Sequence, residues 1–152
     1  FSVHRQTRKN LLEILQNTSN EELITIPDGF NNNIYWNIAH CVATQQLLHY
    51  YLSGNPFRID KYWVENYKKG TLPNLDVKES EIEDLGFLLT ETSRILMKDF
   101  DDQFFPDYTP YSTSFGIDLK SIQDAIVFNN MHESLHLGYI MAQKRALLAE
   151  RN

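Results

Sequence analysis

Apolar positions recur at intervals of three and four along four long stretches of this chain, and each stretch is bounded by residues that start or stop a helix. The first runs from Ser2 to Gln16 and sets Val3, Thr7, Leu11, Ile14 and Leu15 on one side. It ends in NTSNEEL, where Thr18 or Ser19 with Glu21 or Glu22 makes a capping-box pattern for a short turn. IPDGF then breaks the chain. The second helix is predicted to start at Asn32 or Asn33, both good N-cap residues, and to run through WNIAHCVATQQLLHYYL to Ser53, with Gly54 as its stop and Pro56 just beyond. The third has Ser80 and Glu83 as a capping box and buries Ile82, Leu85, Leu89, Leu96 and Phe100 before ending ahead of Pro106. The fourth extends from Leu119 or Ser121 to Glu150.

Between the second and third helices, residues 55–78 hold no sustained period and carry two prolines and a glycine. An ordered loop with one short helical turn is expected there, and a connection of that length is often functional, as a lid is. No stretch alternates as a strand. The expectation is an all-α fold, a four-helix bundle with one long crossover, forming a single domain over residues 1–152.

A domain of 152 residues buries roughly 70% of its unfolded surface and needs no cross-links to fold. The one cysteine, Cys41, excludes an intrachain disulfide and a cysteine zinc cluster and reads as a small buried hydrophobe. No apolar run approaches the roughly 20 residues of a membrane span, and FSVHRQTRKNLL lacks the apolar core of a signal peptide, so a cytoplasmic protein without membrane contact is expected. Fourteen basic against twenty acidic residues give a net charge of -6, with the basic ones scattered, which argues against nucleic-acid binding. Aromatic residues make up 12% of the chain, enough to line a pocket as well as a core.

The candidate chemistry lies in the fourth helix, in HESLH. At about 100° per residue, His132 and His136 are about 40° apart and share a face with Ala125, Asn129, Tyr139 and Gln143. The motif has the form of a zinc-protease signature, but the protease reading fails. Only sixteen residues follow His136, Glu150 is their only carboxylate, and Ala142 stands where a metzincin needs its third histidine. Upstream, His40 shares a face of the second helix with Asn33, Asn37, Thr44, Leu47 and Tyr51. Three neutral imidazoles with an open fourth position would make a catalytic type of metal site.

The segments NNNIYWNIAH, TSFG at residues 113–116 and SIQDAIVFNNMHESLHLGYIMAQKR resemble the DinB-like superfamily over nearly the whole chain. That family comprises metal-binding four-helix bundles, including metal hydrolases and low-molecular-weight-thiol transferases. The resemblance implies that His40, His132 and His136 bind a divalent metal, with zinc first and nickel, cobalt or iron as alternatives. It further implies a homodimer. Its motifs say little about the substrate.

Glu133, about 60° from His136, is either the base that takes a proton at the metal or a rim carboxylate paired with a nearby cation. Trp36, Asn37, Thr44, Tyr51, Asn129, Tyr139 and Gln143 are the candidates for the surroundings of the metal. Phe104, Phe105 and Tyr108 are expected over the mouth of the pocket, and His4 and His49 outside the site as structural or solvent-exposed residues. The expected function is a metal-dependent enzyme acting on a small molecule, either a hydrolase or a transferase of a small thiol cofactor. Only Arg58, Lys61, Lys68 and Lys69 of the long loop offer themselves to an anionic thiol. The alternative is a non-catalytic metal or small-ligand binding module, stress-related in role.

Overall fold

The computed structural model describes residues 1–150, so the domain expected over residues 1–152 runs two residues past the described part. Helix α1 (Ser2–Gln16) buries His4, Thr7, Arg8, Leu11 and Leu15. Val3, expected on that side, is 54% exposed. Leu11 and Leu15 set the phase, and His4 falls within about 20° of both whereas Val3 lies about 80° and 120° away. The short α2 (Asn20–Ile24) opens with the reciprocal cap of the sequence pattern: the Glu22 amide donates to Ser19 Oγ at 3.3 Å and the Ser19 amide to Glu22 Oε2 at 3.2 Å.

Helix α3 (Ile34–Gln46) starts where Asn33 Oδ1 accepts the Trp36 amide at 2.8 Å, a cap that stabilises by about 1 kcal/mol. All of its residues except Thr44 are buried, as in a helix enclosed by neighbours. It continues into one wide turn, Leu47–Tyr51, in which the Leu52 amide donates five residues back to the Leu47 carbonyl at 3.2 Å. Wide turns of this kind shift the phase of a helix and recur beside functional sites. Gly54 then ends the segment with φ 71°, which a side chain at this position would oppose.

Residues 55–78 contain α4 (Lys61–Tyr67), capped by Asp60 Oδ1 accepting the Tyr62 amide at 2.8 Å. The middle of this segment is anchored. Trp63 and Tyr67 enter the main hydrophobic core, and α4 packs along α3. Gly70, at φ 92°, lets the chain turn away immediately after Lys69.

Helix α5 (Glu79–Asp101) buries Leu85, Leu89 and Leu96, with Ile82 and Phe100 half-buried. The expected Ser80–Glu83 box does not form: the helix starts two residues earlier, where only the half of a box from Glu81 is made, its Oε2 accepting the Lys78 amide at 3.1 Å. One element was unexpected: an antiparallel ribbon of β1 (Tyr111–Ser112) and β2 (Asp118–Leu119), with Tyr111 opposite Leu119. It leads into α6 (Ile122–Glu150).

The chain is mostly helical, with α1 packed against α5 and α6, and α3 against α4, α5 and α6. Leu11, Leu23, Ile34, Leu85 and Leu89 are fully buried in the main core, each contributing about 1.5–3 kcal/mol of transfer free energy. A smaller cluster of Leu48, Leu119, Ala125 and Phe128 ties the wide turn and the ribbon to α6. Among the described residues, no helix is long and apolar enough to cross a membrane.

Candidate metal centre

The α3–α6 contact brings His40 to the paired histidines of α6. Ring centroids lie 5.2 Å apart for His40 and His132, 4.9 Å for His40 and His136, and 4.5 Å for His132 and His136. One ligand-capable atom from each of the three falls within 4.8 Å of the others, close enough to share one ion.

Each ring is oriented from behind by a different element. His40 Nδ1 donates to the Tyr67 carbonyl at 2.7 Å, and the ring stacks on Trp36 at 4.6 Å between centroids with 10° between planes. The Trp36 indole N–H is itself held by Thr71 Oγ1 at 3.0 Å. His136 Nδ1 donates to Asn37 Oδ1 at 2.8 Å. The Asn37 amide donates in turn to Asn32 Oδ1, the Asn33 carbonyl and Gln143 Oε1, at 2.7, 2.8 and 3.2 Å, which leaves its oxygen facing the histidine. Acceptors on Nδ1 fix the tautomer that keeps the Nε2 lone pair free. Thr44 Oγ1 lies 3.2 Å from His40 Nε2.

His132 differs. Its Nδ1 is buried without a hydrogen-bond partner, a state that costs free energy unless a cation or water satisfies it. Burial, and then the neighbouring His40, pushes its pKa down to about 4. Burial followed by His132 and His40 takes His136 down to about 3. His40 is also lowered, by burial and by the Lys69 charge, against the opposing Tyr67 hydrogen bond. All three are thus neutral at neutral pH, the form that ligates metal. The donor set, its supported tautomers and its orphaned nitrogen fit a divalent ion.

Glu133 occupies a different environment from the three rings. It is fully buried and accepts from Arg8 Nε at 2.9 Å, Arg8 Nη2 at 2.8 Å and Asn129 Nδ2 at 2.8 Å, with His4 Nδ1 at 3.5 Å. Burial works to raise its pKa, but the Arg8 guanidinium and the His4 ring outweigh that and hold it well below the usual carboxylate range. Of the two readings of Glu133, the paired carboxylate is the one these contacts match, although the pair is buried rather than at the rim. His4 and His49, at 2% and 0% exposure, are structural rather than solvent-exposed, and His49 donates from Nδ1 to the Gln45 carbonyl at 2.7 Å. Arg8 is the residue that sequence reasoning missed. A charge in the 4, 8, 11, 15 stripe of α1 was the available signal, because such a position demands a buried partner.

A cavity of about 300 Å³ opens beside His40 and His132, within the usual range for small-molecule sites. Thr44, the wide turn with Tyr51, and Phe128 form part of its wall, and Thr113, Ser114 and Phe115 of the ribbon form its cover. The aromatics expected at this mouth are elsewhere. Phe104 lies under Arg58 with 4.3 Å from guanidinium to ring, Phe105 meets Tyr50 edge-on at 5.3 Å, and Tyr108 donates to the Leu48 carbonyl at 3.1 Å. Phe105 and Tyr108 pack on the wide turn and Phe104 on Arg58, and the ribbon lines the cavity in their place. Tyr139, 39% exposed, meets Phe30 at 5.1 Å and borders a separate hollow with His136 and Asn37. Gln143 is fully buried, with Nε2 donating to the Asn32 carbonyl at 2.6 Å. Cys41 is a buried thiol whose pKa burial raises.

Among the cations of the long loop, Arg58 is paired with Asp99 at 2.8 Å and Lys61 with Glu65 at 2.7 Å, while Lys69 lines the cavity. No curated protein matches the chain. A family model described as the DinB superfamily matches residues 4–140, which span α1 to most of α6 and include all three histidines, and the chain belongs to that superfamily.

Proposed function

We propose that this protein is a metal-dependent enzyme acting on a small molecule, with His40, His132 and His136 as the ligands of one divalent ion, zinc first and nickel, cobalt or iron as alternatives. The observation that carries this reading is that His40 and His132 form part of the wall of a 300 Å³ cavity rather than a closed cluster, so a reactant has a route to the histidines. An ion held there supplies Lewis acidity, acidifying water or a small thiol so that a nucleophile is available near neutral pH.

The chain's own residues do the positioning. Asn37 and the Tyr67 carbonyl aim two of the rings, Trp36 holds His40 in its plane, and Gln143 fixes Asn37. Thr44, with its hydroxyl beside His40 Nε2, and Tyr51, which lines the cavity, are the candidates for orienting a reactant. Glu133 is proposed as the counter-charge of Arg8 and not as the proton carrier, because a carboxylate already accepting three short hydrogen bonds is a poor base. The architecture is proposed as a four-helix bundle of α1, α3, α5 and α6, with residues 55–78 as its crossover. A cytoplasmic homodimer is proposed as well, supported by the exposed Val127, Leu135 and Met141 on α6.

Metal analysis of the native protein, followed by a panel of ester, amide and lactone substrates and of thiol plus electrophile pairs, tests the reading. One equivalent of metal and a turnover lost in His136→Ala are expected. A turnover that survives His136→Ala would place the chemistry elsewhere. One equivalent of metal with no turnover on any substrate class would leave the non-catalytic binding module.

A further inference from the structure

The cavity beside the histidines has a lopsided chemistry. Leu47, Leu48 and Leu52 form one wall and Phe115 and Phe128 another, these two rings meeting edge-on at 5.9 Å. No acidic side chain lines it, and its single charged lining residue is Lys69. Lys9, Lys61 and Lys98 are paired with Glu13, Glu65 and Asp102, whereas Lys69, like Lys68 and Lys78, forms no ion pair with a carboxylate among the described residues. The chain as a whole carries a charge of -6, so this unpaired cation stands against the general field of the protein. Its placement is specified by the backbone: α4 ends at Tyr67, whose carbonyl holds His40, and the positive φ of Gly70 turns the chain just after Lys69.

We propose that this cavity selects a small, mainly apolar molecule bearing one anionic group, such as a short aryl or aliphatic carboxylic acid derivative. Its apolar body lies against the leucines and phenylalanines, and its anion is met by Lys69, the specificity-determining residue. The volume has room for about ten water molecules, which limits the enclosed part of such a ligand to about that number of non-hydrogen atoms. Burial of the apolar body supplies affinity without direction, and the one ammonium supplies orientation. This inference rests on the reading of the three histidines as a metal-dependent reaction site.

The test is calorimetric titration of zinc-loaded and chelator-treated protein with 3-phenylpropanoate, 3-phenylpropan-1-ol and glycerate, in wild type, Lys69→Met and Phe115→Ser. The metal-free arm removes direct coordination of carboxylate by zinc. In both arms wild type is expected to bind 3-phenylpropanoate about three- to tenfold more tightly than the alcohol, as one partly exposed ion pair allows. Lys69→Met abolishes that preference, leaves the alcohol within about twofold and keeps the zinc stoichiometry, while Phe115→Ser weakens both phenyl ligands. The proposal is overturned if Lys69→Met binds 3-phenylpropanoate like wild type, if glycerate binds as tightly, or if 3-phenylpropanoate does not bind at millimolar concentration. Zinc binding at one equivalent without the preference would sink the ligand class and leave the metal site standing. The preference without any zinc binding would do the reverse.

Discussion

Arg8 of α1 and Glu133, which follows His132 on α6, form a two-point ion pair at 2.9 and 2.8 Å with both side chains almost wholly removed from solvent. Arg8 reaches further, to Thr92 Oγ1 on α5 and Gln45 Oε1 on α3, both at 3.2 Å. One guanidinium thus links all four long helices one residue away from the histidine cluster.

Removing one partner of such a pair leaves a buried charge uncompensated. Arg8→Met is expected to destabilise by about 3–5 kcal/mol, whereas Arg8→Met combined with Glu133→Leu recovers most of the loss. Urea unfolding of the two variants and wild type measures this, and equal destabilisation in the single and double variants would show that the pair itself is not the source.

Asn37 touches no metal in the proposed site, yet it sets the tautomer of His136. Asn37→Leu is expected to weaken metal binding about 10- to 100-fold, the usual effect of losing the hydrogen bond behind a ligating histidine. Competition with a chromophoric chelator gives the affinity. Circular dichroism checks that the helices persist.

Acid sensitivity follows from histidines buried in the neutral form. His49, pushed down to about 4 by burial, and His132, also about 4, have folded pKa values below the ordinary value near 6.5. Between those limits the unfolded chain binds more protons than the folded one, so the stability they contribute is present above about pH 6.5 and is lost as pH falls toward 4. Each contributes a slope of up to about 1.4 kcal/mol per pH unit. Denaturation of metal-free protein at several pH values is expected to show this decline, with a shallower slope in His49→Phe.

Metal removal reports the site directly. With free zinc at about 100 times its dissociation constant, binding stabilises the fold by about 2.7 kcal/mol, and a chelator abolishes that gain. For a domain of this size the melting temperature then falls by roughly 5–10 °C. His132→Ala is expected to melt at the same temperature with and without chelator, and a chelator shift that persists in it would rule out the three-histidine site.

What the sequence determined by itself is what depends on neighbours within a few turns. A cap at Asn32 or Asn33, a box of Thr18 or Ser19 with Glu21 or Glu22, the stop at Gly54 and the shared face of His132 and His136 are local patterns of this kind, and the structure chose Asn33 and Ser19 with Glu22. The polar faces of the second and fourth predicted helices also brought His40 into consideration, and the family resemblance grouped the three histidines. The tertiary structure decided which faces meet. Arg8 finds Glu133 across 125 positions of sequence, and the phase of α1 that permits it is set by the packing of Leu11 and Leu15 rather than by Val3. The cover of the cavity falls to a two-stranded ribbon too short to leave an alternation, instead of to the more conspicuous Phe104 and Phe105. Lys69 could not be told from Lys61 in the sequence. Only the end of α4 and the turn at Gly70 separate the lysine that faces the cavity from the one that pairs on the surface, because a side chain's partner depends on what the fold brings beside it.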